Sequence, residues 1–294
     1  MIFDGLSFFR DFNIKYYTQS KNASQGWVSL RCPFHSDHSD HFGFNPSFGS
    51  FSCWRCGKKS ALQTVQAFTG FSKTASMGVY RKYLVNSYKG GMSYDRKRAS
   101  GTQIDLPGND FTRSERKYMA KRGISTEQIQ SYDLRSGSIA GGWAYRVVLP
   151  IYFNGIIVSA TGRAIHGEME PKYWTLPLQE EIVHHKHIFY GMDLAGDTAV
   201  VVEGPIDALK GGPGIIASFG VNLTDEQLCL LLGYKSVIFL RDADEAGEKF
   251  TETAYKLSSL GGENIEVISM DNGYKDVGEM PNDEILGLRK ELGL

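Results

Sequence analysis

The sequence predicts two domains of different class: a small α+β unit of zinc-ribbon type, then an α/β unit built on a parallel sheet. Three observations carry this reading. Cysteine and histidine recur at knuckle spacing in Cys32-Pro33-Phe34-His35 and Cys53-Trp54-Arg55-Cys56. Residues 89–108, "KGGMSYDRKRASGTQIDLPG", lose all apolar period and fill with Gly, Ser and charge, the pattern of a linker. From Thr198 onward, short apolar runs alternate with helical ones, which is the rhythm of a parallel α/β sheet. The expected boundaries are 1–88, a linker at 89–108, and 109–294, the last divided into 109–196 and 197–294.

The elements follow in chain order. Asp4 caps a helix expected to reach about Tyr17, with Phe8, Phe9 and Phe12 on one side. Gly26–Leu30 is a strand leading into Cys32, and a turn at Asn45-Pro46 precedes a strand into Cys53. Ser60 caps a helix through about Phe68, and a second helical piece covers about 74–87. Beyond the linker, a helix is expected over Asp110–Arg122 with Gly123 past its end, and another over Ser125–Ser131. "YRVVLPIYF" and "IIVSATGRAI" read as strands paired around Asn154-Gly155, a hairpin signal. "TAVVVEG", "GIIASFG", "KSVIFLRD" and "NIEVISM" are buried strands separated by helices.

Composition excludes several classes. The chain of 294 residues is 41% hydrophobic and 22% charged, enough apolar material for a core. The N-terminus lacks the basic and apolar regions of a signal peptide, and no apolar run reaches membrane-span length. Four cysteines, three of them clustered, make metal-site arithmetic in a reducing compartment rather than a disulfide framework. Cys229, in "DEQLCLLLGY", reads as a core residue. The net charge of −1 hides an asymmetry: residues 1–105 carry 14 Lys+Arg against 6 Asp, and the remainder 18 Lys+Arg against 27 Asp+Glu. A basic half suggests nucleic acid as partner, although two differently solvated surfaces would read the same way.

Two knuckles on adjacent hairpin ends can close a tetrahedron around Zn²⁺, with Cys32, His35, Cys53 and Cys56 as ligands. His38 and His41 continue the three-residue spacing and compete with His35. Cys32 is the stronger anchor because thiolate binds zinc tightly. Four protein ligands make a closed, structural site. Trp27, Phe34, Phe42, Phe44, Phe48, Phe51 and Trp54 interleave here with Arg31, Arg55, Lys58 and Lys59. Such a set serves either as core or as a base-stacking platform.

The second constellation is acidic. Glu203 ends one buried strand, Asp207 lies in the next helical turn, Asp242 and Asp244 end another strand, and Asp276 follows the last. Ligands bind at the carboxyl edge of parallel sheets. Carboxylates gathered there raise one another's pKa unless cations are present, and Mg²⁺ or Mn²⁺ fits oxygen ligands. Helix-start acids could account for Asp207 alone, but not for acids ending apolar strands.

Glu203-Gly204-Pro205-Ile206-Asp207 and Asp242-Ala243-Asp244-Glu245-Ala246-Gly247 resemble the two signature motifs of the TOPRIM fold. With the Cys-x2-His and Cys-x2-Cys pairs before them, the order resembles DnaG-type bacterial and phage primases. "RVVLPIYFNGIIVSATGRAI", "PKYWTLP" and "IFYGMDLA" are similar to the segments that precede TOPRIM in that family.

The resemblance implies an RNA polymerase domain that makes short RNA primers from ribonucleoside triphosphates on single-stranded DNA. It implies an acidic metal centre of Glu203, Asp207, Asp242, Asp244 and Asp276. It further implies that Arg146, Arg163 and Lys172 hold template or nucleotide phosphates, and that the zinc ribbon reads the template. One departure is Gly278, where the family usually has a second acid; Glu279 follows it, and the number of metals stays open. Eighteen residues follow Asp276, so a helicase partner is expected to be recruited through another surface. The expected location is the cytoplasm, that of a bacterial host if the chain is phage-encoded. A TOPRIM nuclease and a non-catalytic single-strand-binding factor are the alternatives.

Overall fold

Phenylalanine placement organises the first of two compact units, which comprises residues 1–101 with 228–233; the second comprises 102–227 with 234–294. The computed structural model describes residues 2–19, 22–23, 26–85, 104–108, 110–242, 248–270 and 273–294. Most of the expected linker lies outside the described residues. No helix among the described residues is long and apolar enough to cross a membrane.

In the first unit, β1 (Ile2–Phe3) leads to α1 (Gly5–Asp11), capped by Asp4, whose Oδ1 accepts from Ser7 N at 3.1 Å. The helix is shorter than expected: Asn13 turns to φ 54°, and Tyr16–Tyr17 form β2 instead of a last helical turn. β3 (Val28–Leu30), β4 (Phe42–Asn45), β5 (Ser50–Cys53) and β6 (Gly57–Lys59) follow. With β2 they form an antiparallel sheet in the order β2-β3-β4-β5-β6. α2 (Ala61–Thr69) starts in a capping box of Ser60 and Gln63 and stops at left-handed Gly70. α3 (Lys73–Lys82) ends before β7 (Leu84–Val85), which pairs with β1 where the sequence suggested further helix.

The core here is aromatic. Phe51 stacks on Phe42 with centroids 5.4 Å apart and meets Phe44 at 4.7 Å, and Phe9 and Phe3 close the cluster at 6.1 Å each. At Gly5 a Cβ would come within 2.5 Å of the Phe44 ring, so α1 approaches the sheet only through glycine.

The second unit opens with an extended segment. Leu106 is buried against Val148, Ala160 and Leu176, so the end of the expected linker belongs to this unit's core. Ile104 packs beside it, and their period-two spacing is that of an extended chain. α4 (Arg113–Lys121) starts three residues later than expected because Thr112 and Glu115 form its capping box, and α5 (Thr126–Ser131) is capped by Ser125. β8 (Arg135–Ser136), β9 (Arg146–Phe153), β10 (Ile156–Ala164) and β11 (Tyr173–Thr175) form an antiparallel sheet in the order β11-β10-β9-β8. The β9–β10 turn is at Asn154-Gly155, both with positive φ, as the hairpin signal required.

The chain then alternates β12 (Thr198–Val202), α6 (Pro205–Gly211), β13 (Ile215–Ala217), α7 (Asp225–Leu231), β14 (Ser236–Arg241), α8 (Glu248–Ser259) and β15 (Ile265–Ser269), and closes with α9 (Asn282–Glu291). The four strands are parallel, in the order β13-β12-β14-β15. Val200, Val201, Ile215, Ile216 and Phe239 are fully buried, the near-continuous apolar runs of a sheet covered on both faces. Cys229 is buried, as expected of a core residue.

Removing the ring at the centre of the first unit tests this packing. Phe51→Ala is expected to cost about 3–5 kcal/mol, measured as the shift in urea unfolding of the full chain followed by circular dichroism.

Candidate metal cluster and acidic centre

Strand register builds the first site. Leu30 pairs with Phe42 and Phe42 with Cys53, so the residues just past β3 lie beside the end of β5. The β5–β6 turn is the Cys53–Cys56 knuckle, closed by Gly57 at φ 77°. Cys32 and Cys56 bring their Sγ atoms to 3.6 Å, and His35 Nε2 lies 3.2 Å from Cys53 Sγ. All four donor atoms fall within 4.8 Å of one another.

The electrostatics fit a cation. Burial pushes the Cys32 thiol up to about 12, while at Cys53 the hydrogen bond from His35, with help from the Cys56 and Arg55 amides, overcomes burial and brings the thiol down to about 7. Three thiols and an imidazole this close suit a thiophilic cation that takes the place of their protons.

Asp37 organises the loop between the knuckles. Its carboxylate accepts from the Cys32, Ser39 and His41 amides at 3.0, 3.1 and 2.8 Å and from His41 Nδ1 at 2.9 Å. Burial opposes its ionisation, but these donors hold the carboxyl well below the usual range. His41 therefore serves Asp37, and His38 contacts Ser36 Oγ at 3.2 Å; neither joins the cluster.

Of the aromatics around the cluster, Phe42, Phe44, Phe48 and Phe51 are core, whereas Trp54 is 77% exposed. A cleft of about 490 Å³ in the same unit is lined by Ile14, Lys15, Tyr17, Arg31, Asp40 and Phe68, with Lys15 over the Tyr17 ring.

The second site lies at the carboxyl edge of the parallel sheet. Glu203 follows β12, Asp207 sits in the first turn of α6, and Asp242 follows β14. Asp276 comes after β15. Asp244 lies outside the described residues. Burial, then the charges of Asp276 and Asp242, push the Asp207 carboxyl up to about 7. The Gly278 amide donates to Asp207 Oδ1 at 3.1 Å and works against that rise, as does Arg122. A Cβ at position 278 would come within 2.6 Å of Asp207 Oδ1 and 3.0 Å of Asp276 Oδ1, so glycine lets this backbone approach the Asp207 carboxylate without displacing it. Among the described residues, no three carboxylates of this edge close to within 4.8 Å.

Cations surround the edge, and several were not legible in the sequence. Lys186, from the 3₁₀ turn His185–His187, donates to the Phe219 carbonyl; burial pulls its ammonium below the ordinary value and the Glu203 charge works against that. Lys210 donates to the Gly278 carbonyl at 3.1 Å. Tyr173 is raised to about 12 by burial and, in part, by Asp207. Arg163 lies 4.9 Å over the Tyr173 ring, with its Nε buried and without a hydrogen-bond partner among the described residues. Lys172 is exposed beside them.

Arg146 is placed otherwise than the resemblance implied. It is buried, and its guanidinium donates to the carbonyls of Gly162, Lys172 and Pro171 at 3.2, 3.3 and 2.7 Å. It ties the 171–172 segment to the antiparallel sheet rather than presenting a charge to phosphate.

Comparisons with known proteins agree with this architecture. Residues 200–280 match the Toprim-like family. The chain is 25% identical to the DNA primase of Aquifex aeolicus, over 83% of this chain and 58% of that protein. It is 24% identical to the DNA primase of Borreliella burgdorferi, over 95% of this chain and 65% of that protein. The chain thus spans somewhat over half the length of these relatives. Among solved structures, the zinc-binding and RNA polymerase domains of the Aquifex aeolicus primase match 99% of this chain and 82% of that one, with 20% identity and a TM-score of 0.54. The DnaG primase catalytic domain bound to ssDNA matches 61% of this chain and 71% of that one, at 22% identity and a TM-score of 0.51. The fold is therefore that of a DnaG-type primase, with a zinc-binding-type unit and a Toprim-containing polymerase-type unit.

Two outcomes test these sites. Cys53→Ser is expected to lower the zinc content of the chain, read as zinc bound per chain after loading and gel filtration. For Asp207, the unfolded chain releases its proton near the ordinary 3.8 and the folded chain near 7. Without magnesium, this group then makes stability fall as pH rises from about 4 to about 7. The stability difference between Asp207→Asn and the original chain, from urea midpoints, should grow over that range in favour of the variant.

Proposed function

We propose that this chain is a DNA primase, a DNA-directed RNA polymerase that makes short RNA primers on single-stranded DNA. The observation that carries the reading is the placement of Glu203, half-buried Asp207, Asp242 and Asp276 at the carboxyl edge of a parallel sheet that matches the Toprim-like family. A DnaG primase catalytic domain of similar fold was solved bound to ssDNA, which supports the same template class here.

In this reading Glu203, Asp242 and Asp276, with Asp244, hold Mg²⁺ or Mn²⁺, which when bound activates the 3′-hydroxyl and offsets charge on the leaving pyrophosphate. Asp207, fixed by the Gly278 amide, keeps the Asp276 segment in place and adds negative charge behind the ligands. Glu203 is also positioned to accept a proton. Arg163, buried with its guanidinium over the Tyr173 ring, and the exposed Lys172 are the cations assigned to nucleotide or template phosphates. Lys186, already half desolvated beside Glu203, supplies a further positive charge at the same edge.

The cluster of Cys32, His35, Cys53 and Cys56 holds a structural Zn²⁺ and stiffens the unit that carries exposed Trp54 and the Lys15–Tyr17 cleft. An exposed indole and a cation over a tyrosine suit stacked bases and phosphate on a single strand.

The test uses single-stranded DNA of varied sequence, labelled ribonucleoside triphosphates and Mg²⁺. The chain is expected to yield short RNA products. Asp242→Asn and Asp276→Asn are each expected to reduce them by on the order of 100-fold or more, with bound zinc unchanged from the original chain. Shortened DNA would instead identify a nuclease, and binding without any product a non-catalytic factor.

A further inference from the structure

Outside both sites, the second unit gathers a carboxylate and two imidazoles for which neither the cluster nor the acidic edge has a use. Glu181 has a fully buried side chain. Its Oε1 lies 2.7 Å from His185 Nδ1 and its Oε2 lies 2.6 Å from His184 Nδ1. Ser159 Oγ, from β10, donates to Oε1 at 2.7 Å, and the His185 amide donates to the same oxygen at 3.1 Å. One donor atom from each of Glu181, His184 and His185 falls within 4.8 Å of the others. The His187 ring adds a third imidazole, 5.1 Å from that of His184.

We propose that Glu181, His184 and His185 form a second transition-metal site of the zinc class, separate from the thiolate cluster. One carboxylate and two imidazoles are the donor set of open zinc sites, in which a water completes four-coordination. A dication would also offset a carboxylate charge taken wholly out of water. Ser159 provides the supporting hydrogen bond that such carboxylate ligands usually receive.

Binding needs little rearrangement. Ligands at zinc bond lengths stand roughly 3.3 Å apart in a tetrahedron, so each ring retreats by about 0.6 Å and carries its proton on Nε2. His184 and His185 are 29% and 18% exposed, which leaves the ion a way in. The metal would clamp the 3₁₀ turn that carries Lys186 onto β10, next to the acidic edge.

The site does not depend on the polymerase reading, and its test is a metal count. The full chain is loaded with Zn²⁺ in millimolar Mg²⁺, which keeps the carboxylate edge occupied, then gel-filtered and assayed for zinc. Two zinc ions per chain are expected in the original protein and one in His184→Ala, whose ring is the more exposed of the two. One ion in the original protein overturns the proposal without recourse to any variant, as do two ions in a folded His184→Ala or in Glu181→Gln. Loading with Co²⁺ separates the sites. The second equivalent should add visible absorption without a thiolate charge-transfer band, and should survive Asp242→Asn. Loss in Asp242→Asn with retention in His184→Ala would place the ion at the carboxylate edge and overturn the proposal.

Discussion

Asp207, half-buried, has to share one sheet edge with Asp242 and Asp276, and desolvation and like charges in that position raise its pKa. Much of the surrounding structure answers this constraint. The Gly278 amide is brought to Asp207 Oδ1 at 3.1 Å, and a Cβ there would come within 2.6 Å of that oxygen and push the carboxylate aside. Lys210 holds the same segment by its Gly278 carbonyl. Arg122 adds a compensating charge from the end of α4. The edge is thus partly offset by the protein's own groups, and the proposed divalent cation would supply what they leave.

The parallel sheet is what makes such a convergence possible. Strands β12 and β14 are neighbours, so the residues that follow them emerge side by side, and β15 brings the Asp276 segment along the other side of β14. The short α6 turns at Pro205 and directs Asp207 back over the same edge. The cluster in the first unit solves a comparable problem with softer ligands. Antiparallel register places Cys32 beside Cys53; burial disfavours the Cys32 thiolate, while the His35 hydrogen bond favours that of Cys53.

Elements carried by local chemistry were legible in the sequence. Caps at Asp4 and Ser60, the Asn154-Gly155 turn and the apolar runs of β12, β13, β14 and β15 all form where their residue types require. What was missed depends on tertiary partners. Tyr16–Tyr17 leave the helix because β3 offers them a strand to pair with, and Leu84–Val85 find β1. Ile104 and Leu106 look like linker until the antiparallel sheet beneath them is known. The knuckle residues were recoverable because thiolate spacing constrains chemistry directly. Lys186 and Tyr173 were not, since a lysine among histidines and a tyrosine on a short edge strand carry no signature of the acidic edge they approach. Arg146 shows the converse: the family resemblance implied phosphate, and its burial among three carbonyls makes it a brace.

A divalent-cation site among the carboxylates of this edge is tested most directly by the carbonyl-carbon NMR titration of Asp207 with and without Mg²⁺. Asp207 is expected to titrate near pH 7 in the absence of the ion, and well below that once Mg²⁺ is added. Titration at the ordinary carboxylate value, unmoved by Mg²⁺, would contradict it.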